Sequence, residues 1–478
     1  LGRWQQGCFK STKGSAPNLA TSVQDQRQAE NHDYRYRPIA KKQNSYDKHG
    51  SKVEKIDLMG KKRIIRDPVH GFISLKEWEW DIINHPCFQR LKRIQQLALT
   101  SQVYPGACHT RFEHSLGVLH TATTMFDHIV EKDRDFLTHE LKFNDSDLEK
   151  DRQVLRISAL LHDIGHPPFS HATEKDLFGL SSDGKRYKHE HYSSKIIVEL
   201  MKDVIESHPE NRELEIEALD IANFIDGDTS LGRRYLWKSI LSSHLDADRA
   251  DYLLRDSLHT GVSYGFFDLQ RLINTISVAW ENDSPVIAVE EGGRFVAESL
   301  IIARYMMFNQ VYFHPVRVAY DHHLTCAVKH ILKNNNETYP SPSSINTLEE
   351  YVKYDDWSIY SDIKNELAGE HGRIIMDRNH YRVVYETKDI PDLDEIAKKD
   401  RIIQELGNIF GFEAAAEKSW YSNEGEITIL RDDLSKDNIC SLSELSHVVK
   451  NLKKSYLCRI YVPMDKKVEA RNIINRII

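Results

Sequence analysis

Cysteine is scarce in this 478-residue chain: Cys8, Cys87, Cys108, Cys326, Cys440 and Cys458. None stands in a C-x-x-C pair, which excludes a disulfide-stapled scaffold, a zinc ribbon and a dithiol redox site. Long apolar runs are missing as well. No stretch approaches the ~18 residues that a membrane helix needs, so no membrane association is expected. There is no glycine-rich phosphate loop and no internal repeat. The opening Leu1-Gly2-Arg3-Trp4 has no apolar core of a secretory leader, and no Met, so the native N-terminus is expected to lie elsewhere. A reducing compartment is the expectation, cytoplasmic with the nucleus left open.

What is present is globular composition, 40% apolar and 28% charged. The length suffices for one large domain or two to three ordinary ones. Charge is uneven: residues 1–62 carry net +7, the remainder net −15, and the whole chain −8. Residues 1–60 are rich in Gln, Asn, Ser and Lys and read as a basic, flexible tail. Such a tail is either a solubilising leader or a segment with weak affinity for nucleic acid. Histidine is the anomaly. Ten of the 24 fall between His109 and His191, and imidazole is both the commonest metal ligand and a proton shuttle near neutrality.

Order is expected to begin near Arg63-Ile64-Ile65, and the pattern to about residue 335 is helical. Phe88, Leu91, Ile94 and Leu97 recur every third residue and suggest one helix face. Ser115 to Val130 reads as an amphipathic helix. Val154 to Leu161 reads as a buried central helix that ends near Gly165, because Pro167-Pro168 cannot continue it. Residues 298–333 read as a long helical stretch broken near Pro315. After a turn-rich linker at 334–344, strands are expected at Tyr381–Tyr385, Glu426–Leu430 and Tyr456–Val462. Helices are expected at Leu393–Ile409 and Ser443–Leu452. The fold class is therefore mainly α, a helical core over 61–335 with a smaller C-terminal α+β lobe over 346–478.

Four segments concentrate the chemistry: His109-Thr110-Arg111-Phe112-Glu113-His114-Ser115, Leu161-His162-Asp163 through His171, Lys188-His189-Glu190, and His244 through Asp256. An adjacent His162-Asp163 pair on an apolar helix is costly unless a cation or hydrogen-bond donors compensate the buried carboxylate. A divalent metal does so. One His from an earlier helix and one Asp from a later helix would complete a two-His, two-Asp set. Such a set suits Mn²⁺, Fe²⁺, Zn²⁺ or Mg²⁺ without selecting among them.

His114, His162-Asp163 and Asp248 resemble the ordered H…HD…D signature of the HD-domain metal phosphohydrolases. The run Arg66-Asp67-Pro68-Val69-His70-Gly71, Phe88-Gln89-Arg90-Leu91 and Tyr104-Pro105-Gly106-Ala107 into His109-x-Arg111-Phe112-Glu113-His114 is similar, more narrowly, to the deoxynucleoside triphosphate triphosphohydrolases. The resemblance spans Arg63 to His314 and includes no SAM-like segment in residues 1–60. It implies an HD fold and hydrolysis of a dNTP to deoxynucleoside and intact triphosphate. It implies one divalent metal on His114, His162, Asp163 and Asp248, with His189, His171 and His166 as acid/base candidates. Arg111, Arg249, Arg304 and His314 match phosphate-side groups. Tyr252, Asp256, Gln96, Leu97 and Tyr312 match groups around the sugar. Singly, Arg111 also reads as a structural ion-pair partner, Tyr252 and Tyr312 as core aromatics, and Asp251 with Arg255 as an i, i+4 pair.

The resemblance further implies a homo-oligomer, tetramer or hexamer, with an allosteric nucleotide at segments bearing Arg63, Arg66 and Lys92. Asn84 and Lys92 depart from the Asp and Arg of the guanine-nucleotide pattern, and only Gln89 is kept. Phe313 stands where one branch of the family has Gln. The biological roles this activity would serve are dNTP-pool housekeeping, replication fidelity or antiviral defence. The competing readings are a nucleotidase, phosphodiesterase or nuclease of the same superfamily, and a nucleotide sensor or nucleic-acid binder with a vestigial site.

Overall fold

The computed structural model describes residues 63–227, 229–418, 426–431, 438–452 and 455–477. The tail expected at 1–60 lies outside them, and so does its expected nucleic-acid contact. The architecture is mainly helical with small sheets, a helical core and a smaller C-terminal α+β lobe.

The chain enters through an antiparallel hairpin, β1 (Arg63–Asp67) and β2 (Gly71–Leu75), pairing Arg63 with Leu75. The core helices follow: α1 (Arg111–Lys132), α2 (Asp145–Leu161), α3 (His171–Leu177), α4 (His189–Leu200) and α5 (Ala247–Thr260). Polar caps set where they start. Glu113 accepts from the Thr110 amide at the head of α1. Asn144 and Asp147 cap each other's amides at α2. Asp246 accepts from the Arg249 amide at α5, which therefore begins just before Asp248, and Gly261 (φ +74°) ends it. In α2 every residue from Val154 to Leu161 is buried, so it is the central helix that its sequence suggested.

The segment around Phe88 differs from expectation. A four-residue α-turn, Pro86–Gln89, passes into a 3₁₀ turn, Arg90–Arg93, and then into extended chain at Ile94. All four apolar residues are buried. Their spacing of three matches the 3₁₀ period and drifts off an α-helical face, which alternates three and four. The helical stretch near residue 300 divides into α6 (Arg294–Met307), a π-turn Phe308–Tyr312 and α7 (Pro315–Ile331), with Pro315 at the first position of α7.

Two hairpins were not anticipated within the helical region, β1–β2 and the pair β3 (Ile276–Glu281) and β4 (Ser284–Glu290). Beyond α8 (Asp356–Lys364), strand β5 (Arg382–Glu386) and helix α9 (Leu393–Leu406) precede β6 (Phe412–Lys418), β7 (Thr428–Leu430) and β8 (Ile439–Ser441). Strand β9 (Ser455–Val462) and helix α10 (Lys467–Ile474) close the chain. The helix expected over Ser443–Leu452 is two single turns, because Ser446 caps a new start in its middle.

The sheet β5-β9-β6 lies against α9 and α10 over its own core of Ile402, Leu406, Ile460, Val462 and Ile474. The other late strands do not stay with it. β7 pairs in parallel with β4, extending that sheet to β3-β4-β7-β8. Tyr351, Ile359, Ile363 and Ile375 pack into the main helical core. Part of the region after residue 345 is therefore packed into the helical core, while the β5-β9-β6 sheet keeps a core of its own.

Candidate active site

Helices α1, α2 and α5 bring four side chains to one point. His114 Nε2 lies 3.0 Å from Asp248 Oδ1 and 3.5 Å from Asp163 Oδ2. His162 Nε2 lies 3.3 Å from Asp163 Oδ1 and 3.8 Å from Asp248 Oδ1. Both imidazole nitrogens are buried and make no hydrogen bond among the described residues. Two orphaned nitrogens facing two carboxylates form the donor set of a divalent cation, so the residues present fit the metal. Burial opposes charge on His114, yet Asp248 and Asp251 outweigh it and push its pKa up to about 10. A cation at Nε2 would answer the same carboxylates in the proton's place.

The other nitrogen of His114 is fixed from behind. Nδ1 lies 2.8 Å from Asp251 Oδ2. Asp251 accepts from Arg255 Nε and Nη2, each at 2.9 Å, and lies 2.6 Å from His70 Nε2. Arg255 in turn donates to Asp67 at 2.9 Å. A carboxylate on the far nitrogen sets the tautomer that leaves Nε2 free for a metal. Gly117 makes room for it: a Cβ there would fall onto the Asp251 carboxylate and the Arg255 guanidinium. The sequence spacing identified Asp251 and Arg255 as an i, i+4 pair; their hold on His114 was not visible in it.

A second group lies beside the first. Glu174 accepts from His171 Nδ1 at 2.7 Å, from His189 Nδ1 at 2.8 Å and from the His189 amide at 2.9 Å. The His166 ring lies against His189 with centroids 3.7 Å apart. Burial would raise the Glu174 carboxyl, but His171 and His189 outweigh it and hold Glu174 far below the usual range. Burial would lower His189, and Glu174 outweighs that and raises it. Burial and the Arg111 charge hold His166 well below the usual imidazole range. One cluster thus holds a proton-rich and a proton-poor imidazole side by side, the combination general acid–base chemistry uses. Glu174 was missed in the sequence, although His171-x-x-Glu174 is a helical i, i+3 pair.

The loop between His162 and α3 is strained. Phe169 (φ +60°) and Ser170 (φ +57°) both sit in the left-handed half of backbone space. Non-glycine residues there cost of order 1–3 kcal/mol each and persist only where neighbours over-determine them. Ser170 Oγ accepts from Arg111 Nε at 2.8 Å and donates to the Gln95 carbonyl at 2.7 Å. Arg111 also donates to Asp163. Burial would raise Asp163, and Arg111, His162 and His166 hold it well below the carboxylate range.

A cavity of about 560 Å³ opens on His162, Asp163 and Asp248, within the size range of small-molecule sites. Gln96, Leu97, Arg111, His166, His171, His189, Tyr252, Asp256, Arg304 and Tyr312 also line it. At its far side Tyr312 donates to Asp256 Oδ2 at 2.6 Å, and His109 Nε2 lies 2.7 Å from Asp256 Oδ1. Tyr252 meets Tyr312 edge to face at 6.2 Å. Tyr312 closes the π-turn, a distortion frequent at functional sites. Arg249 and His314 are not among the lining residues. Arg249 donates to the Ser243 carbonyl and the Asp246 carboxylate, and His314 caps α7 through the Val316 amide.

Comparison with known proteins adds family relationships to this geometry. The HD domain pattern matches residues 111–256, and the HD-associated region matches 267–475. An uncharacterised protein of Methanocaldococcus jannaschii is 31% identical over 445 residues, covering 87% of this chain and 83% of that one. A deoxynucleoside triphosphate triphosphohydrolase SAMHD1 homologue of Dictyostelium discoideum is 32% identical over 257 residues, covering 53% of this chain and 46% of that protein. The crystal structure of a phosphohydrolase from Bacteroides thetaiotaomicron superposes with a TM-score of 0.65 at 28% identity, covering 84% of this chain and all of that one.

Proposed function

This chain belongs to the HD-domain phosphohydrolase family, and from that premise we propose that it is a metal-dependent dNTP triphosphohydrolase, releasing deoxynucleoside and intact triphosphate. The observation that carries the proposal is one cavity lined at once by His162, Asp163 and Asp248 of the two-His, two-Asp set, by His171 and His189, and by Leu97, Tyr252, Asp256 and Tyr312.

In this reading His114, His162, Asp163 and Asp248 hold the ion, which supplies Lewis acidity and an activated water when bound. Arg111 keeps Asp163 ionised, and Asp251 holds the His114 tautomer. His189, charged through Glu174, supplies a proton to the leaving deoxyribose oxygen, and Glu174 holds the ring toward the cavity. His166 stays neutral, and His171 shares the carboxylate from the solvent side. Asp256, with one oxygen taken by His109 and the other by Tyr312, presents an acceptor to the sugar 3′-OH. Leu97 and Tyr312 crowd the 2′ carbon. Arg304 takes the phosphate side. Arg249 acts behind the site, fixing the turn that presents Asp248. Members of the chain associate as a homo-oligomer, with Arg63, Arg66 and Lys92 at a nucleotide-responsive interface.

The SAMHD1-named relative supports the triphosphohydrolase reading over a nucleotidase or nuclease. The test is product analysis by anion exchange with Mn²⁺ or Mg²⁺ across dNTPs, NTPs, cyclic nucleotides and oligonucleotides. Triphosphate released from dNTPs supports the proposal; monophosphate or pyrophosphate release refutes it.

A further inference from the structure

The strained turn ahead of His171 has its restraints in a distant part of the chain. The Phe169 amide donates to Asp356 Oδ1 at 2.7 Å, and the Gln95 amide donates to Asp356 Oδ2 at 2.8 Å. Asp356 is 2% exposed and opens α8. One turn on, Tyr360 meets the buried Phe169 ring edge to face at 5.1 Å. The residues just before α8 hold the same loop. Tyr351 OH donates to the Gly165 carbonyl at 2.7 Å. Arg90 ties the Tyr354 carbonyl (2.8 Å) to that of His166 (2.9 Å).

The two amides that Asp356 takes belong to the two loops that flank the cavity. One loop carries Gln96 and Leu97, and the other carries His166 and His171. Ser170 Oγ closes the ring by donating to the Gln95 carbonyl. A carboxylate is the one side-chain group of this size that accepts on both oxygens. An amide in its place would turn an N–H₂ against one of the two donors. The helix N-terminus favours the ionised form, while burial pushes its pKa up to about 7. A buried acid kept at such a cost, with both oxygens committed to loop amides, fits a role in shape rather than in packing.

We infer that Asp356 is a positioning residue for the active site: by joining the Gln95 and Phe169 amides it holds the sugar-side loop and the His171 loop in register, so a side chain beyond the 334–344 linker shapes the site. The inference rests on the triphosphohydrolase reading for its kinetic consequence and on geometry alone for its structural one.

Asp356→Asn is compared with Ile359→Ala, a fully buried residue of the same helix whose apolar side chain makes no hydrogen bond to either loop. Hydrogen–deuterium exchange is followed at residues 93–97 and 166–172, and kcat and KM are taken for a dNTP and its NTP per mole of folded protein. In Asp356→Asn, exchange at the two loops rises tenfold or more, kcat falls tenfold or more, and the dNTP-over-NTP preference drops. In Ile359→Ala, thermal stability falls while loop protection, kcat and preference stay. Should Asp356→Asn fail to fold, Tyr351→Phe removes one hydroxyl from the same loop, and a several-fold loss of kcat with raised exchange at 166–172 is expected. Wild-type exchange and kinetics in the folded loop variants overturn the inference, as does an equal effect of Ile359→Ala. A wild-type protein inert toward dNTPs refutes the functional reading, and the exchange result then decides the positioning claim separately.

Discussion

Glu174→Gln isolates the proton chemistry from the metal. The carboxylate accepts from the His189 ring Nδ1 at 2.8 Å, from the His189 backbone amide at 2.9 Å and from His171 Nδ1 at 2.7 Å. Hydrogen bonds to a charged group are worth ~1.5–3 kcal/mol each. Gln keeps a neutral acceptor at one oxygen, so the net loss at His189 is about 2 kcal/mol. Glu174 is depressed in the folded state, so its stabilisation is present above about pH 4.3 and is lost as pH falls through the lower folded value. His189 is raised, so its contribution is full below about pH 6.5 and is lost as pH rises through the raised folded value. The pair therefore stabilises most between about pH 4.3 and 6.5, and the thermal shift of Glu174→Gln is largest there. Without the carboxylate the largest upward push on the His189 imidazole is lost. General acid catalysis contributes ~10²–10⁴-fold, or about 3–5 kcal/mol of barrier. The expected result is kcat lowered by that factor, unchanged metal content, and a basic limb of the pH–rate profile displaced to lower pH. Wild-type kcat and an unmoved limb would refute the assignment of His189 as the acid.

Removing the metal set is the second test: His162→Ala/Asp163→Ala loses both bound divalent ion by elemental analysis and all turnover, and full metal occupancy in that variant contradicts the site. Under the proposed function, crowding at Leu97 and Tyr312 opposes a 2′-OH, and NTPs are expected to be turned over ~10²-fold less efficiently than dNTPs. Leu97→Ala narrows that ratio, and equal wild-type kcat/KM for GTP and dGTP sinks the assignment. Charge reversal at Arg66 and Lys92 lowers activity at limiting dNTP with metal content intact. Sedimentation of a fully active monomer at every nucleotide concentration rejects the regulated oligomer.

The helical core was legible because its signals are local. The apolar run 154–161 is buried throughout, as its composition implies. The candidate metal ligands His114, His162, Asp163 and Asp248 lie together in the structure, and the adjacent His162-Asp163 pair was their signal in the sequence. What escaped depends on contacts between distant segments. Glu174 reaches His189 across fifteen residues, Asp251 reaches His114 across 137, and Asp356 reaches Phe169 across 187. Periodicity carries no information on such pairings. The hairpin β3–β4 was hidden inside a helical region, because its turn, Asn282-Asp283, uses left-handed residues without a glycine. Arg249 and His314 carried family-like positions, yet each is committed to a backbone cap or turn outside the cavity lining.

The central claim is tested most directly by hydrolysing dGTP in ¹⁸O-labelled water with the metal-loaded protein and weighing both products. The account predicts equimolar deoxyguanosine without label and triphosphate with one ¹⁸O, from attack at the α-phosphorus. Labelled deoxyguanosine, or pyrophosphate or orthophosphate as the released inorganic product, would contradict it.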